Sequence, residues 1–594
     1  MTPRRLTPLA LLLATACASD DGSASGTLGG SSSATTTATT TATTDEPTTS
    51  AGETTVATES TTATTTTTTT TGTTTEGCLC TPGEPANCGE PDTLMLCAKD
   101  CVSEVPFPCG DDKYCTGAQC VPDVCEAGTS ICDGEDLYQT CGDYGEGYGL
   151  VQSCPDGQLC LDGECLTRCA HAEATQSSVG CSFFAHTMDN YYPVVADALV
   201  VGNVDSALSA NVQLYRRVGG VDVAEGDPVV IAPGAVAELP LTAPEIDGAS
   251  ELRADGAYHL VSDLPVVAYQ HAPIGAQSTN DASMLLPEHT LGKAHVIASA
   301  PEGNTYPGHL SYFVVIAAVD GTEVRWRPPV DSLAGVGVPG VKAGGEGVVK
   351  VDRLGTLQIA AAAKLDLSGT IVTADQPIWV IGASACASVP ITLNTCDHLE
   401  EQMLPLETWG KTYVALNSPK RGTEEFHWRI FGGADGVTVT TTPDVSGGPF
   451  DLQKGEWKAF TADQSFVVTA TGPVLPVHYL ESQNGGAGTG DPSTVQMVPV
   501  EQFLGAYAFA TGTGYDKNYV QVIRKVGGNN VNLDGKNIGG YADLGDYQIT
   551  EIEISEGAHF IRSTDPFGII NVGYTSVTSY AYPGGMRLAV INPQ

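Results

Sequence analysis

A strand-forming phrase that opens on proline recurs four times in the C-terminal two thirds of the chain. It reads Asp263-Leu-Pro265-Val-Val-Ala-Tyr-Gln, Asp375-Gln-Pro377-Ile-Trp-Val-Ile-Gly, Pro473-Val-Leu-Pro-Val-His and Asp565-Pro566-Phe-Gly-Ile-Ile. The leading prolines lie 112, 96 and 93 residues apart. Proline is tolerated there because the first residue of a strand need not donate to the ladder. A second phrase follows the first three copies: Asp281 to Pro287 and Gly292, Asp397 to Pro405 and Gly410, Asp491 to Pro499 and Gly505. Two phrases repeating in one order predict about four related units of ~100 residues, a size that suits one β-sandwich each. A propeller is the rival architecture, although its blades usually run ~40–50 residues. Between the phrases, stretches such as 312–326, 426–443 and 518–535 read strand, Asp/Gly/Asn turn, strand, which is a hairpin signal. The fold class expected is all-β.

Composition agrees and narrows the function. Only 16% of residues are charged and 68 are glycine, a balance that favours short strands and turns. The 27 Lys+Arg against 69 Asp+Glu give a net charge of −42. Such a surface repels phosphate backbones, so no nucleic-acid partner is expected. Nineteen cysteines point to an oxidising compartment and exclude a cytosolic helical enzyme.

Ahead of the β-rich region lies a duplicated module, residues 78–168. Cys80, Cys88, Cys97, Cys109, Cys115 and Cys120 share their spacing, within one residue per interval, with Cys125, Cys132, Cys141, Cys154, Cys160 and Cys165. Each module is too small for a self-sufficient core, so bridges must hold it. Neither copy has a CxxC pair and 78–170 has no His, which sets aside zinc. The connectivity within six cysteines is one of 15 and stays open. Cys78 and Cys101 are the extra pair of the first module. Sequence proximity favours Cys169 with Cys181 and Cys386 with Cys396.

The N-terminus reads as an address. Residues 1–16 combine Arg4 and Arg5 with an apolar run ending in small residues, a signal peptide too short to span a bilayer. Leu13-Ala14-Thr15-Ala16-Cys17 is similar to a bacterial lipobox, in which Cys17 is lipidated and becomes the mature N-terminus; plain secretory cleavage is the alternative. Removing Cys17 leaves an even number for pairing. Ala18, rather than Asp, after the cysteine implies the outer membrane, with the chain facing the cell surface; a secreted or periplasmic protein is the alternative. Residues 17–77 are rich in Ser and Thr, with Thr64–Thr71 unbroken. They have nothing to bury and are expected to form a disordered linker, glycosylated or bare.

The segments SSVGCSFFAHTMDN (177–190), LPVVAYQHAP with NDASMLLP, and TCDHLEEQMLPLETWGKTYVAL (395–416) together resemble the IgGFc-binding protein N-terminal domain family. The resemblance covers roughly residues 175–590, with the CDHLEEQ stretch its most specific part. It implies a β-rich extracellular binding region over 169–594. The lipobox and threonine tether are bacterial features, so the fold and binding class carry over, while antibody is not the ligand expected.

Several residues have chemical potential. Asp281, Asp397 and Asp491 hold the same place in the repeated phrase; they either coordinate Ca²⁺ or cap turns through their own backbone. Asp397, His398, Glu400 and Glu401 form the densest titratable cluster. With Cys386–Cys396 bridged, they are expected to form a rigid surface loop and part of a binding face. Single histidines such as His271 and His478 sit at strand ends. Trp326, Trp379, Trp409, Trp428 and Trp457 are either sugar-stacking platforms or core. No GxSxG, P-loop or dinucleotide pattern is present. The function expected is a surface lipoprotein held to the membrane by its N-terminal lipid, presenting a binding or adhesion region to an extracellular protein or glycan. The alternatives are a structural envelope component and a secreted hydrolase. No cofactor is expected apart from the Ca²⁺ just weighed.

Overall fold

The computed structural model describes residues 78–191, 196–275 and 279–594. The signal segment, Cys17 and the linker to residue 77 lie outside the described residues. The described chain is almost entirely β, with the short helix Arg168–Thr175 joining the cysteine modules to the β-rich region. Thr167 caps that helix, accepting from the Ala170 amide at 3.2 Å, and Gln176 ends it in the left-handed conformation. Cys169–Cys181 then ties the helix to the first strand of the β-rich region, Gly180–Ala185.

Both cysteine modules carry the same bridges. Numbered along each module, the first cysteine pairs with the third, the second with the fifth and the fourth with the sixth. These are Cys80–Cys97, Cys88–Cys115 and Cys109–Cys120 in one copy, and Cys125–Cys141, Cys132–Cys160 and Cys154–Cys165 in the other. Cys78–Cys101 closes the entry to the first module. Each module has a three-stranded sheet and a two-stranded hairpin. The hairpin turns, Gly117-Ala118 and Asp162-Gly163, have positive φ at both residues, the geometry that matches strand twist across a two-residue loop.

The region from residue 177 onward contains four sandwich-like units. Unit two has a five-stranded and a four-stranded sheet, and unit three has two four-stranded sheets. In units one and four, one long strand runs through both layers: Tyr258–Ala272 and Ala558–Thr575. Before Pro265 the first pairs with Ala210–Val218; after it, with Asp197–Asn203 and Asp281–Met284. Pro566 marks the same change of partners in unit four. The recurring proline thus sits where the chain crosses between sheets and a ladder donor is dispensable.

The last strand of each unit faces a common axis. These inner strands are Asp281–Met284, Asp397–Gln402, Thr494–Gln496 and Thr578–Pro583. Each touches its counterpart in the next unit, and the fourth touches the first, so the units close into a ring. The sandwich size is as the repeats predict, while the axial arrangement resembles the rival propeller. Residues 586–592 fasten the closure. Ser178 donates to the Met586 carbonyl at 2.9 Å, Leu588 to Gln176 and Asn592 to Glu407.

The second phrase builds the connectors between units. A Cβ on Gly292 would meet Pro405 and Glu407, and one on Gly410 would meet Pro499 and Glu501. Each connector therefore nests its glycine on the proline turn of the next. Trp326, Trp379, Trp409 and Trp428 are fully buried, which rules them out as sugar platforms. Trp457 is half-buried beneath the Arg429 guanidinium, 4.4 Å away.

Replacing Cys132 and Cys160 together with Ser is expected to weaken the second module by roughly 3–4 kcal/mol, from the closure entropy of a loop this long. Hydrogen exchange over residues 125–165 would report it, with exchange of the ring's inner strands unchanged.

Candidate binding site at the axial mouth

Each inner strand has one hydrogen-bonded neighbour strand, which leaves its other edge to be satisfied at the axis. Side chains from adjoining units do this. The Leu286 amide donates to Gln402 Oε1 at 2.8 Å, and one unit on the Leu404 amide donates to Gln496 Oε1 at 3.2 Å. Glu401 accepts from the Gln496 amide at 3.2 Å and from Ser283 Oγ at 2.7 Å. Asp281 accepts from four donors: the amides of Ala282 (2.9 Å), Glu400 (3.2 Å) and Thr494 (3.1 Å), and Ser493 Oγ (2.7 Å). Ser493 and Thr494 belong to the unit opposite, so side chains bridge the axis. Asp397 makes the other diagonal, accepting from Thr578 Oγ1 at 2.9 Å.

This geometry corrects the expected surface loop. Asp397, His398, Glu400 and Glu401 lie on the second inner strand and are at most 1% exposed. Polar residue types suggested a loop, but here they serve as acceptors for a buried strand edge. The loop held by Cys386–Cys396 is residues 388–395, just before that strand. The three phrase aspartates also differ in place. Met284, Gln402 and Gln496 occupy matching ladder positions, each opposite the fourth residue after the phrase proline. Asp397 and Asp491 lie five residues before theirs, whereas Asp281 lies three before. Among the described residues, no group of three or more His, Cys, Asp or Glu side chains is arranged to hold a metal ion.

Burial sets the protonation of this core. It drives the carboxyls of Asp281, Asp397, Glu400 and Glu401 well above their ordinary range. It pushes His398 down to about 3. His398 sits 3.6 Å from Glu400, sealed from solvent, where burial disfavours the charged form of each. His271 and His478 are likewise buried and held neutral, at about 4 and about 3.

The solvent-facing feature lies at the end of the axis where the inner strands begin. A cavity of about 440 Å³ opens there, walled by Thr279 of unit one, Tyr306, Thr395 and Cys396 of unit two, Gln483 and Asp491 of unit three, and Val577 of unit four. Tyr191 also lines it, its ring 4.6 Å from that of Tyr306 and 4.7 Å from His309. Asp491 accepts from the Gln483 amide at 3.0 Å, and burial raises its carboxyl to about 6. Two other clefts, of about 330 and 450 Å³, each draw on two units, one around His427 and Tyr479 and one around Phe509 and His559. The sequence reading singled out Asp491 and Cys396 for other reasons and missed the remaining lining residues. For Thr279, Thr395, Gln483 and Val577 the signal was positional, since they sit in the segments that enter the inner strands, where loops of one end collect; Tyr191 and Tyr306 come from loops between other strands and carried no such signal.

Two stability tests follow. Asp281→Ala strands Ser493 Oγ and three amides in the core, those of Ala282, Glu400 and Thr494, and should cost on the order of 3–5 kcal/mol in urea denaturation. For pH, the raised carboxyls bind protons that the unfolded chain releases near its ordinary 3.8. Their stabilisation is full below that pH and is lost as pH rises through the folded values, about 6 for Asp491 and about 7 for Asp189. The buried histidines oppose this, since their contribution is full above 6.5 and is lost as pH falls. Above pH 6.5 only the carboxyl effect remains, so the melting temperature should fall between pH 6.5 and 9.

Residues 281–573 match the family model described as IgGFc binding protein. The human IgGFc-binding protein is 24% identical over 348 residues, which cover 55% of this chain and 6% of that protein's length. The matched stretch runs from the inner strand of unit one to the long strand of unit four.

Proposed function

We propose that this chain is a bacterial surface lipoprotein of the IgGFc-binding kind, which presents the axial mouth to an extracellular protein or glycan. The observation that carries the binding role is the mouth itself. All four units contribute to its wall, and it stands on a core whose strand edges are satisfied by side chains. Loops on such a support hold their shape without a ligand, which lowers the ordering cost of binding. The buried His398–Glu400 pair supports a binding role over a hydrolytic one, since neither group reaches solvent.

Anchoring is proposed through Cys17, on the strength of the lipobox at 13–17. Several acyl chains on one residue would hold firmly where one would not. The threonine-rich linker, about sixty residues with an r.m.s. reach of roughly 40–45 Å if flexible, would then carry the modules and ring away from the bilayer. The matched region supports an extracellular protein ligand as one class; the human protein's name states its own ligand and does not fix this one.

The anchoring half is tested by Cys17→Ser, which should abolish labelling by radioactive palmitate and move the protein from the membrane pellet to the soluble fraction. The binding half is tested by capture of extracellular proteins and oligosaccharides on the immobilised full chain. Tyr306→Ala combined with Gln483→Ala should remove the captured species, while Val221→Ser, on an exposed edge strand of unit one, should leave them. Capture unaffected by the mouth variants would displace the site from the axis.

A further inference from the structure

Resting on the reading of the axial mouth as a binding site, we propose that its ligand is an uncharged sugar residue of a glycan. The lining combines the two surfaces a pyranose presents. Tyr306 is 36% exposed and packs on Tyr191, itself braced by His309. This offers a rigid aromatic face for the C–H side of a sugar ring. Beside it stand groups that match hydroxyls. Thr395 Oγ1 donates to Asn484 Oδ1 at 3.1 Å, and Gln483 Nε2 donates to the Ser576 carbonyl. Gln483 Nε2 also donates to the Gly488 carbonyl at 3.4 Å, so both of its N–H donors and the single Thr395 O–H are engaged, and the capacity left on these two side chains is the acceptor capacity of Gln483 Oε1 and Thr395 Oγ1. Sugar hydroxyls supply donors for both.

Charge narrows the class. Among the described residues no Lys, Arg or His lines the cavity, and the one carboxyl is Asp491. An acidic sugar would find no counter-charge there and would approach a chain of net charge −42. A cation is recruited poorly as well. Asp491 is 5% exposed, already accepts from Gln483, and its carboxyl is raised to about 6. A neutral polyol has neither difficulty. The volume of about 440 Å³ falls within the usual span of ligand pockets, roughly 300–1,000 Å³, with room for a sugar ring and its linkage. The Cys386–Cys396 bridge pins the Thr395 wall, so the site is held open in advance of binding.

The test uses the full chain on an array of neutral, sialylated and uronate-containing oligosaccharides, followed by calorimetry with the methyl glycoside of the strongest neutral responder. The proposal expects retention of neutral glycans. It also expects at least a tenfold loss of affinity in Tyr306→Ala and in Gln483→Ala, and no change in Val221→Ser. Both mouth positions lie outside the hydrophobic core, and an unchanged melting temperature would show that the variants fold. Retention of acidic glycans alone, or of neutral glycans independently of Tyr306, would overturn it. Tyr306-dependent capture of a protein or of a lysine-rich peptide, with no glycan retained, would overturn the sugar assignment and leave the mouth as a binding site. Capture of nothing by the wild type would overturn both.

Discussion

Four strand edges meeting at an axis pose a problem that the rest of the ring is built to solve. Each inner strand is paired on one side only, and an open edge is costly when buried and adhesive when exposed. Around a four-fold axis the inner strands do not extend one another's ladders. Side-chain acceptors do the work instead: Gln402 for Leu286, Gln496 for Leu404, Glu401 for Gln496, and Asp281 for both Glu400 and Thr494. Every one of these bonds crosses from one unit to another. Removing unit one, two or three would leave its neighbours' amides without these partners, and unit four is tied in through the Thr578 hydroxyl, which meets Asp397 Oδ2 and the Asn280 carbonyl.

The same solution explains the unusual electrostatics. Asp281, Asp397, Glu400 and Glu401 are buried, and among the described residues no Lys or Arg is paired to them. Isolated carboxylates there would be expensive, and protonation is the way out, as the raised values of all four reflect. A protonated carboxyl is both donor and acceptor, which suits an edge where amides and hydroxyls alternate. Buried polar bonds of this sort add little net stability against apolar packing. Their role here is to satisfy the inner edge: Gln402 and Gln496 make the same bond one unit apart, each accepting from the amide two residues beyond the neighbouring inner strand.

Much of this fold was legible in the sequence because it is local. The recurring proline marks a sheet crossing in every unit, and the Gly-and-Pro phrase marks a connector. Cys169–Cys181 and Cys386–Cys396 follow from proximity. The bridge pattern inside the modules did not, since equal spacing leaves fifteen pairings and only the strand register selects one. Closure was also out of reach. It depends on contacts such as Thr578 with Asp397, 181 residues apart, and the fourth unit has no aspartate phrase to announce its inner strand. The titratable cluster was misplaced for a related reason. Asp397-His398-Leu-Glu400-Glu401 has the composition of a solvated loop, and its burial is visible only once the neighbouring units are in place around it.

The two ends of the axis differ in what they permit. At the connector end, Gly292 and Gly410 leave no space for a side chain against the next proline turn, so length and sequence are sterically fixed. At the mouth, the segments that enter the inner strands are unequal in length. They hold eight residues in unit one, nine in unit two, fourteen in unit three and two in unit four. A symmetric ring thus carries an asymmetric opening: the short turn of unit four supplies Val577 and the long segment of unit three supplies Gln483 and Asp491. These loops also help to close the ring: Ser493 donates to Asp281 across the axis, Thr395 to Asn484 and Gln483 to Ser576 between neighbouring units. The shape of the opening is therefore coupled to the bonds that hold the units together, and a change at the mouth reaches both.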